Sequence, residues 1–299
     1  FNDLGIALDD LRRYKEAILH YRKALKLKPK FPEALNNLGC ALAKIGEEKE
    51  PETCFQKALQ IDPNNLDALN NIGNLLMINE RYNEAEESFR KVLRQAPKNP
   101  DFLINLGSAL QFLERIEEAK NYFKRALEIK PNHVEALCKL ANALKCGGFA
   151  EQAIQYYDQA TKIEPENIGI KISSATVLPI IPASANEIDF YRARMQKNLI
   201  ELKNCTSKLI DPLGEAGATG FYLAYHNKND REHVKVLAEL YAKKCPSLIT
   251  NAPEFSSTKT KNRYRIGFLS FHFYDHTIGR LYKGFIEHIN RDFFEIILF

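Results

Sequence analysis

The sequence predicts a mostly α chain in three parts. An α–α superhelix spans 1–166, a helical linker spans 167–262, and the first βαβ unit of a parallel sheet spans 263–299. Three observations predict it. Proline recurs every 34 residues, at Pro29, Pro63, Pro97, Pro131 and Pro165. Columns of small, apolar and aromatic residues keep the same period. After residue 263 helical spacing gives way to two compact apolar runs, "YRIGFLSF" and "FFEIILF".

The repeats come first in the chain. Gly5, Gly39, Gly73 and Gly107, with Ala141 in fifth place, form a small-residue column, and Leu4, Leu38, Ile72, Leu106 and Leu140 an apolar one. Ala17, Ala85, Ala119 and Ala153 form another, broken by Pro51. Tyr21, Phe55, Phe89, Phe123 and Tyr157 supply one aromatic per repeat. Leu4 and Leu8 share one helical face, as do Ala17, Tyr21 and Ala24. Each repeat is therefore a helical hairpin: the small residues let its two helices approach, and the aromatic fills the gap between neighbouring hairpins. Proline closes the second helix. A single hairpin cannot bury its apolar stripe, but a stack can. Period and columns resemble the tetratricopeptide repeat, giving five repeats over 1–166, the first truncated. Pro51 predicts a late start for one second helix, where a missing N–H matters least.

Before the small-residue column runs the series Asp3, Asn37, Asn71, Asn105, Lys139. In a superhelix of this kind the first helix of each repeat faces the concave side. An Asn amide offers both a donor and an acceptor, so Asn37, Asn71 and Asn105 form a ladder able to hold the backbone of an extended acceptor peptide without reading its sequence. The alternative is that Asn simply recurs at this repeat position.

After Pro165 the period stops. "SSATVLPIIPASANEID" reads as a junction. A helix follows with Ile188, Met195, Leu199 and Leu202 on one face, and another runs from about Asp230 to Cys245, stopped by Pro246. His226 and His233 are candidate site residues whose more ordinary role is capping or packing. "KTKNRYR", the densest basic stretch, reads as solvated linker, because no Gly-rich loop accompanies it.

The apolar run "YRIGFLSF" then predicts a strand, "TIGRLYKGFIEHIN" a helix through Ile278, Leu281, Phe285 and Ile289, and "FFEIILF" a second strand. Ligands of open α/β sheets sit beyond the carboxyl ends of strands. The loop "FHFYDH" places His272, Asp275 and His276 there, near the positive end of the following helix. An imidazole at that point can orient or deprotonate a hydroxyl, or be bonded within a tight turn. No Gly-x-Gly-x-x-Gly is present, so no dinucleotide fingerprint is supported.

A repeat superhelix with an asparagine ladder, then "FYLAYHNKNDREHVKVLAELYAKKCPSL", then "YRIGFLSFHFYDHTIGRLYKGFIEHINRDFFEIILF", resembles the protein O-GlcNAc transferase and SPINDLY family, its bacterial SPINDLY-like members above all. The resemblance implies a GT-B glycosyltransferase with a Rossmann-like catalytic domain beginning at 263. Such an enzyme moves a sugar, with UDP-GlcNAc the expected donor, to Ser or Thr hydroxyls of an extended polypeptide guided by the superhelix. It places His276 in the catalytic site and carries nothing over to His272, where the family often has an acidic residue. No cofactor is implied for these residues, and the nucleotide-sugar pocket is expected in a second Rossmann-like half. The chain opens at Phe1 inside a repeat helix and stops at Phe299 inside a strand. The expectation is a fragment that binds acceptor peptide weakly and catalyses nothing alone.

Composition narrows the setting. Hydrophobic residues at 45% and charged residues at 27% are ordinary globular values. A net charge of +4 over 299 residues does not suggest a nucleic-acid binder. Six scattered cysteines without a Cys-x-x-Cys pair argue against structural zinc and a disulfide framework, and fit a reducing compartment. No apolar run approaches a membrane span. The expected setting is cytoplasmic, or nuclear in a eukaryote. The competing function is a non-catalytic tetratricopeptide scaffold for protein–protein interaction; transfer to Asn is a weaker third.

Overall fold

In the computed structural model, residues 1–47, 49–216, 221–246, 264–268, 288, 290 and 294–298 are described. The chain divides into two units, Phe1–Ile249 and Thr250–Phe299.

The first unit opens with five antiparallel helix pairs. They are α1 (Asn2–Asp10) with α2 (Tyr14–Leu27), α3 (Pro32–Lys44) with α4 (Glu50–Ile61), and α5 (Leu66–Ile78) with α6 (Tyr82–Gln95). The last two pairs are α7 (Pro100–Phe112) with α8 (Ile116–Ile129), and α9 (Val134–Cys146) with α10 (Ala150–Ile163). Helix α4 starts two residues behind the register of its counterparts, with Pro51 in its first turn, as the late start predicts. The apolar columns form the core: Phe89, Phe123, Leu103, Leu106, Leu110 and Leu140 are fully buried.

The glycine column has a different partner from the one expected. A Cβ on Gly5, Gly39, Gly73 or Gly107 would lie 2.4, 2.7, 2.5 or 2.5 Å from the ring of Tyr21, Phe55, Phe89 or Phe123, the aromatic of the same repeat. The ring therefore rests on the facing helix of its own hairpin, where only glycine leaves room, rather than chiefly filling space between hairpins.

Each hairpin corner repeats one backbone device. Arg12, Gly46, Glu80, Glu114 and Gly148 follow the first helices with φ of 58, 83, 58, 61 and 83°. The next N–H returns to a carbonyl five residues back, as in Arg13 N to Leu8 O at 2.8 Å and Arg81 N to Leu76 O at 2.8 Å. This is a Schellman closure, which satisfies carbonyls that the helix end would leave orphaned.

The period runs one helix past Pro165. Asn167 caps α11 (Ile168–Ala175) through its side chain, as Asn65 and Asn99 cap α5 and α7. Ala175 continues the small-residue column 34 residues after Ala141. Residues 173–175, read from sequence as junction, are therefore helical. Their small side chains suit a helix buried on most sides, and α11 packs between α10 and α12 (Ala185–Asn204). Arg194 ties α12 down, donating to the Ser174 carbonyl at 2.9 Å and hydroxyl at 3.0 Å. A short helix α13 (Pro212–Glu215), a 3-10 turn (Phe221–His226) and α14 (Arg231–Lys244) complete the described part of this unit. Met195, Leu199 and Leu240 bury the contact of α12 with α14.

In the second unit, β1 (Tyr264–Phe268) and β2 (Phe294–Leu298) pair in parallel, with Tyr264 opposite Phe294 and Phe268 opposite Leu298. A parallel pair requires a crossover connection. Of the residues joining these strands only 288 and 290 are described; the rest of the predicted helix and the loop holding His272, Asp275 and His276 lie outside the described residues.

Candidate functional site

The first helices of successive repeats touch one another, α1 with α3, α3 with α5, α5 with α7 and α7 with α9, while the second helices approach each other less. The first helices thus line the inner side of the stack. Asn37, Asn71 and Asn105 lie there, half-buried.

Their amides are joined across repeats. Asn37 Nδ2 donates to Asn2 Oδ1 at 3.3 Å, Asn71 Nδ2 to Asn36 Oδ1 at 3.0 Å, and Asn105 Nδ2 to Asn70 Oδ1 at 2.8 Å. Asn71 Nδ2 also approaches Cys40 Sγ at 3.2 Å. Burial pushes the Cys40 thiol up to about 11, so it stays protonated at neutral pH. The acceptors Asn2, Asn36 and Asn70 were not singled out from sequence. The doublets in "NNLG" and "NNIG" were the signal for Asn36 and Asn70: the first Asn of each accepts from the ladder Asn of the next repeat, Asn71 or Asn105, while Asn2 stands in "NDLG" without a doublet. The series stops where Ile104, an apolar residue 1% exposed, takes the place of the first Asn. Lys139 therefore meets no amide in the preceding repeat at that register.

These bonds alter what the ladder offers. One Nδ2 hydrogen of each Asn is committed to its neighbour, which holds the amide plane at a set angle. The Oδ1 atoms of Asn37, Asn71 and Asn105 accept no hydrogen bond among the described residues, so each keeps a carbonyl acceptor for a ligand; Asn37 and Asn105 also keep a second N–H, whereas that of Asn71 has Cys40 Sγ as its acceptor. A row of pre-oriented amides on repeating helices suits the peptide groups of an extended chain.

Beyond the ladder the same inner helices carry Asn142, which accepts the Tyr157 hydroxyl at 2.7 Å, and Lys145, whose amine burial pushes below the ordinary lysine range.

The linker histidines occupy a separate cluster. Arg192, 6% exposed, donates to Asp230 Oδ1 at 2.6 Å and to the Asn229 carbonyl at 2.6 Å. His233 lies against it, Nδ1 3.4 Å from Arg192 Nη2 and Nε2 3.2 Å from the Arg192 carbonyl. His226 is 3% exposed with neither ring nitrogen bonded among the described residues. Burial, reinforced by Arg192, holds both imidazoles below the usual histidine range. They pack. Among the described residues no group of three or more His, Cys, Asp or Glu could hold a metal, and no helix is long and apolar enough to cross a membrane.

This geometry, paired helices on a fixed period with a polar inner row, defines an α–α repeat protein built to present one face of its first helices. Tetratricopeptide-repeat families match residues 10–46, 32–65, 65–132 and 104–168, and the chain is a tetratricopeptide-repeat protein. Among solved structures it is similar to Pseudomonas aeruginosa PilF, with 23% identity over 68% of this chain and 88% of that one, TM-score 0.57. It is similar to TTC0263, a TPR protein of Thermus thermophilus, with 20% identity over 59% and 96%, TM-score 0.51. A double mutant of MamA from RS-1 aligns at 21% identity over 55% and 92%, TM-score 0.50. At these identities the likeness establishes the fold alone. No curated protein matches the chain. The narrower resemblance to the O-GlcNAc transferase and SPINDLY family therefore rests on the sequence after the repeats.

Proposed function

We propose that the chain binds extended polypeptides along the inner face of its repeats, and that the bound polypeptide is the acceptor of a protein O-glycosyltransferase whose catalytic domain begins near residue 263. The observation that carries the first part is the row of cross-linked amides at Asn37, Asn71 and Asn105, each with an unused acceptor. Tetratricopeptide repeats are protein-interaction modules, and a sequence-independent amide clamp fits an enzyme that must accept many Ser- or Thr-bearing segments. The transferase part is supported by the parallel pairing of β1 with β2 about thirty residues apart, the spacing of a βαβ unit. In this reading His276 acts on the acceptor hydroxyl and UDP-GlcNAc is the donor.

Two experiments test the parts separately. Replacing Asn37, Asn71 and Asn105 together by Ala should weaken binding of a fluorescein-labelled unstructured Ser/Thr peptide about tenfold or more, at about 1 kcal/mol per lost hydrogen bond. Circular dichroism should still report a folded helical chain. Unchanged affinity returns the series to a mere recurrence of Asn. In a form of the protein carrying a complete α/β domain, His276→Ala should lower sugar transfer from UDP-GlcNAc far more than it lowers melting temperature. Absence of transfer from UDP-GlcNAc, GDP-fucose and UDP-glucose removes the transferase and leaves a polypeptide-binding scaffold.

A further inference from the structure

The second helices carry a site of their own. Between α6 and α8 lies an open notch of about 250 Å³ with an apolar side of Leu93, Pro97 and Leu106, Leu106 forming its buried floor, and a polar rim of Arg90, Arg94, Arg125 and Tyr122. The same notch between α2 and α4, two repeats earlier, has Leu25, Pro29 and Leu38 in the matching apolar positions. There the polar lining is Glu50, Thr53, Cys54, Lys57 and Gln60, a carboxylate included. The floor belongs to the repeat, and the arginine rim belongs to this junction alone.

The rim charges are unequal. Arg90 is neutralised by Glu86, with its Nε at 3.0 Å and Nη2 at 2.7 Å from one carboxylate oxygen, and Arg115 Nη1 reaches that oxygen at 2.6 Å. Arg94 and Arg125 pair with no carboxylate among the described residues. Arg125 lies over the Tyr122 ring, 5.2 Å from its centroid, which orients the guanidinium without neutralising it. Two unpaired guanidiniums, one held on an aromatic face, sit above an apolar floor. Planar forks in that arrangement match the oxygens of a phosphate or carboxylate, and the floor accepts the stem that carries it.

We propose that this notch binds the oxyanion of a partner polypeptide's side chain, phosphate or carboxylate, on the opposite flank of the repeats from the amide row. It makes the array two-faced: the inner row holds backbone without reading sequence, and the outer notch selects for negative charge. This does not depend on the transferase reading.

The test uses the pentapeptides Gly-Gly-X-Gly-Gly, with X phosphotyrosine, phosphoserine, glutamate or glutamine, titrated at low ionic strength against isotope-labelled protein. The readout is the NMR shift of backbone amides and arginine Nε–H groups. Saturable shifts centred on Arg94, Arg125 and Tyr122 are expected with at least one anionic peptide and not with the glutamine peptide. Phosphopeptide binding without glutamate binding identifies phosphate as the source, and equal binding identifies any oxyanion. In Arg94→Gln/Arg125→Gln the affinity should fall at least about tenfold. Lys57→Gln in the sister notch should leave it unchanged. The proposal is overturned if the glutamine peptide binds equally, if shifts spread over lysines and arginines elsewhere, or if the double variant binds like the parent.

Discussion

The repeat array and the linker that follows it bury polar groups in opposite ways. In residues 1–175 several contacts are copies. The Schellman corner recurs five times and the amide bond three times, and Arg13, Arg81 and Arg115 each hold a glutamate three residues on. Losing one copy leaves its neighbours intact, because each repeat packs only on the next. Among the described residues of 185–246 no such contact recurs. One buried arginine is satisfied by one aspartate and one carbonyl, and one buried imidazole has no bonded partner among the described residues. Periodic burial is redundant, whereas singular burial concentrates stability in a few groups.

The largest effect should come from the singular side. Arg192→Met leaves Asp230 without its cation and should destabilise the linker by about 3 kcal/mol. Hydrogen exchange should accelerate in α12 and α14 while α5–α8 keep their protection; equal acceleration everywhere would erase the distinction between the two regions.

Gly107→Ala comes next. Its Cβ would fall 2.5 Å from the Phe123 ring, so ring or helix must shift, at about 1–3 kcal/mol. A urea midpoint unchanged from the parent would show that the hairpin yields without loss, and would weaken the account of the glycine column.

A smaller effect of opposite sign is expected at the corners. Glu80 and Glu114 hold left-handed backbone with φ of 58 and 61°. Either residue changed to Gly should raise stability by about 1 kcal/mol, read as a higher melting temperature.

At neutral pH the smallest effect belongs to His226, and it grows with acid. The unfolded imidazole gains its proton near its ordinary pKa of 6.5, while burial and Arg192 hold the folded one neutral to lower pH. Below about 6.5 the unfolded chain binds more protons, so linker stability should fall with pH until the folded imidazole also titrates. His233, shifted the same way, adds to this slope. His226→Phe should flatten the slope of urea midpoint against pH between 7 and 5, and an unchanged slope would assign it to other groups.

Much of this was legible in the residues. Pro29 to Pro165 and Gly5 to Gly107 mark the hairpins outright, since period and residue type are local properties of the chain. Met195, Leu199 and Leu202 marked the buried face of α12. The corner column was harder to see, because Arg12, Glu80 and Glu114 stand where Gly46 and Gly148 would have signalled left-handed backbone. Asn167 and Ala175 carried the period beyond Pro165, but the proline column ended first. The candidate inner row at Asn37, Asn71 and Asn105 was visible as a series, and its acceptors were not. Its bonds join residues 35 apart, a distance that becomes short only when helices stack. His276, the expected catalytic residue, lies outside the described residues.

The sequence by itself determined the hairpin, its length and its apolar faces, because helix periodicity, proline and glycine act over a few residues. Tertiary structure alone decided which groups meet from one helix to another. Ring on glycine, amide on amide and arginine beside arginine all depend on the packing of one helix against the next, and chain order carries no record of that geometry.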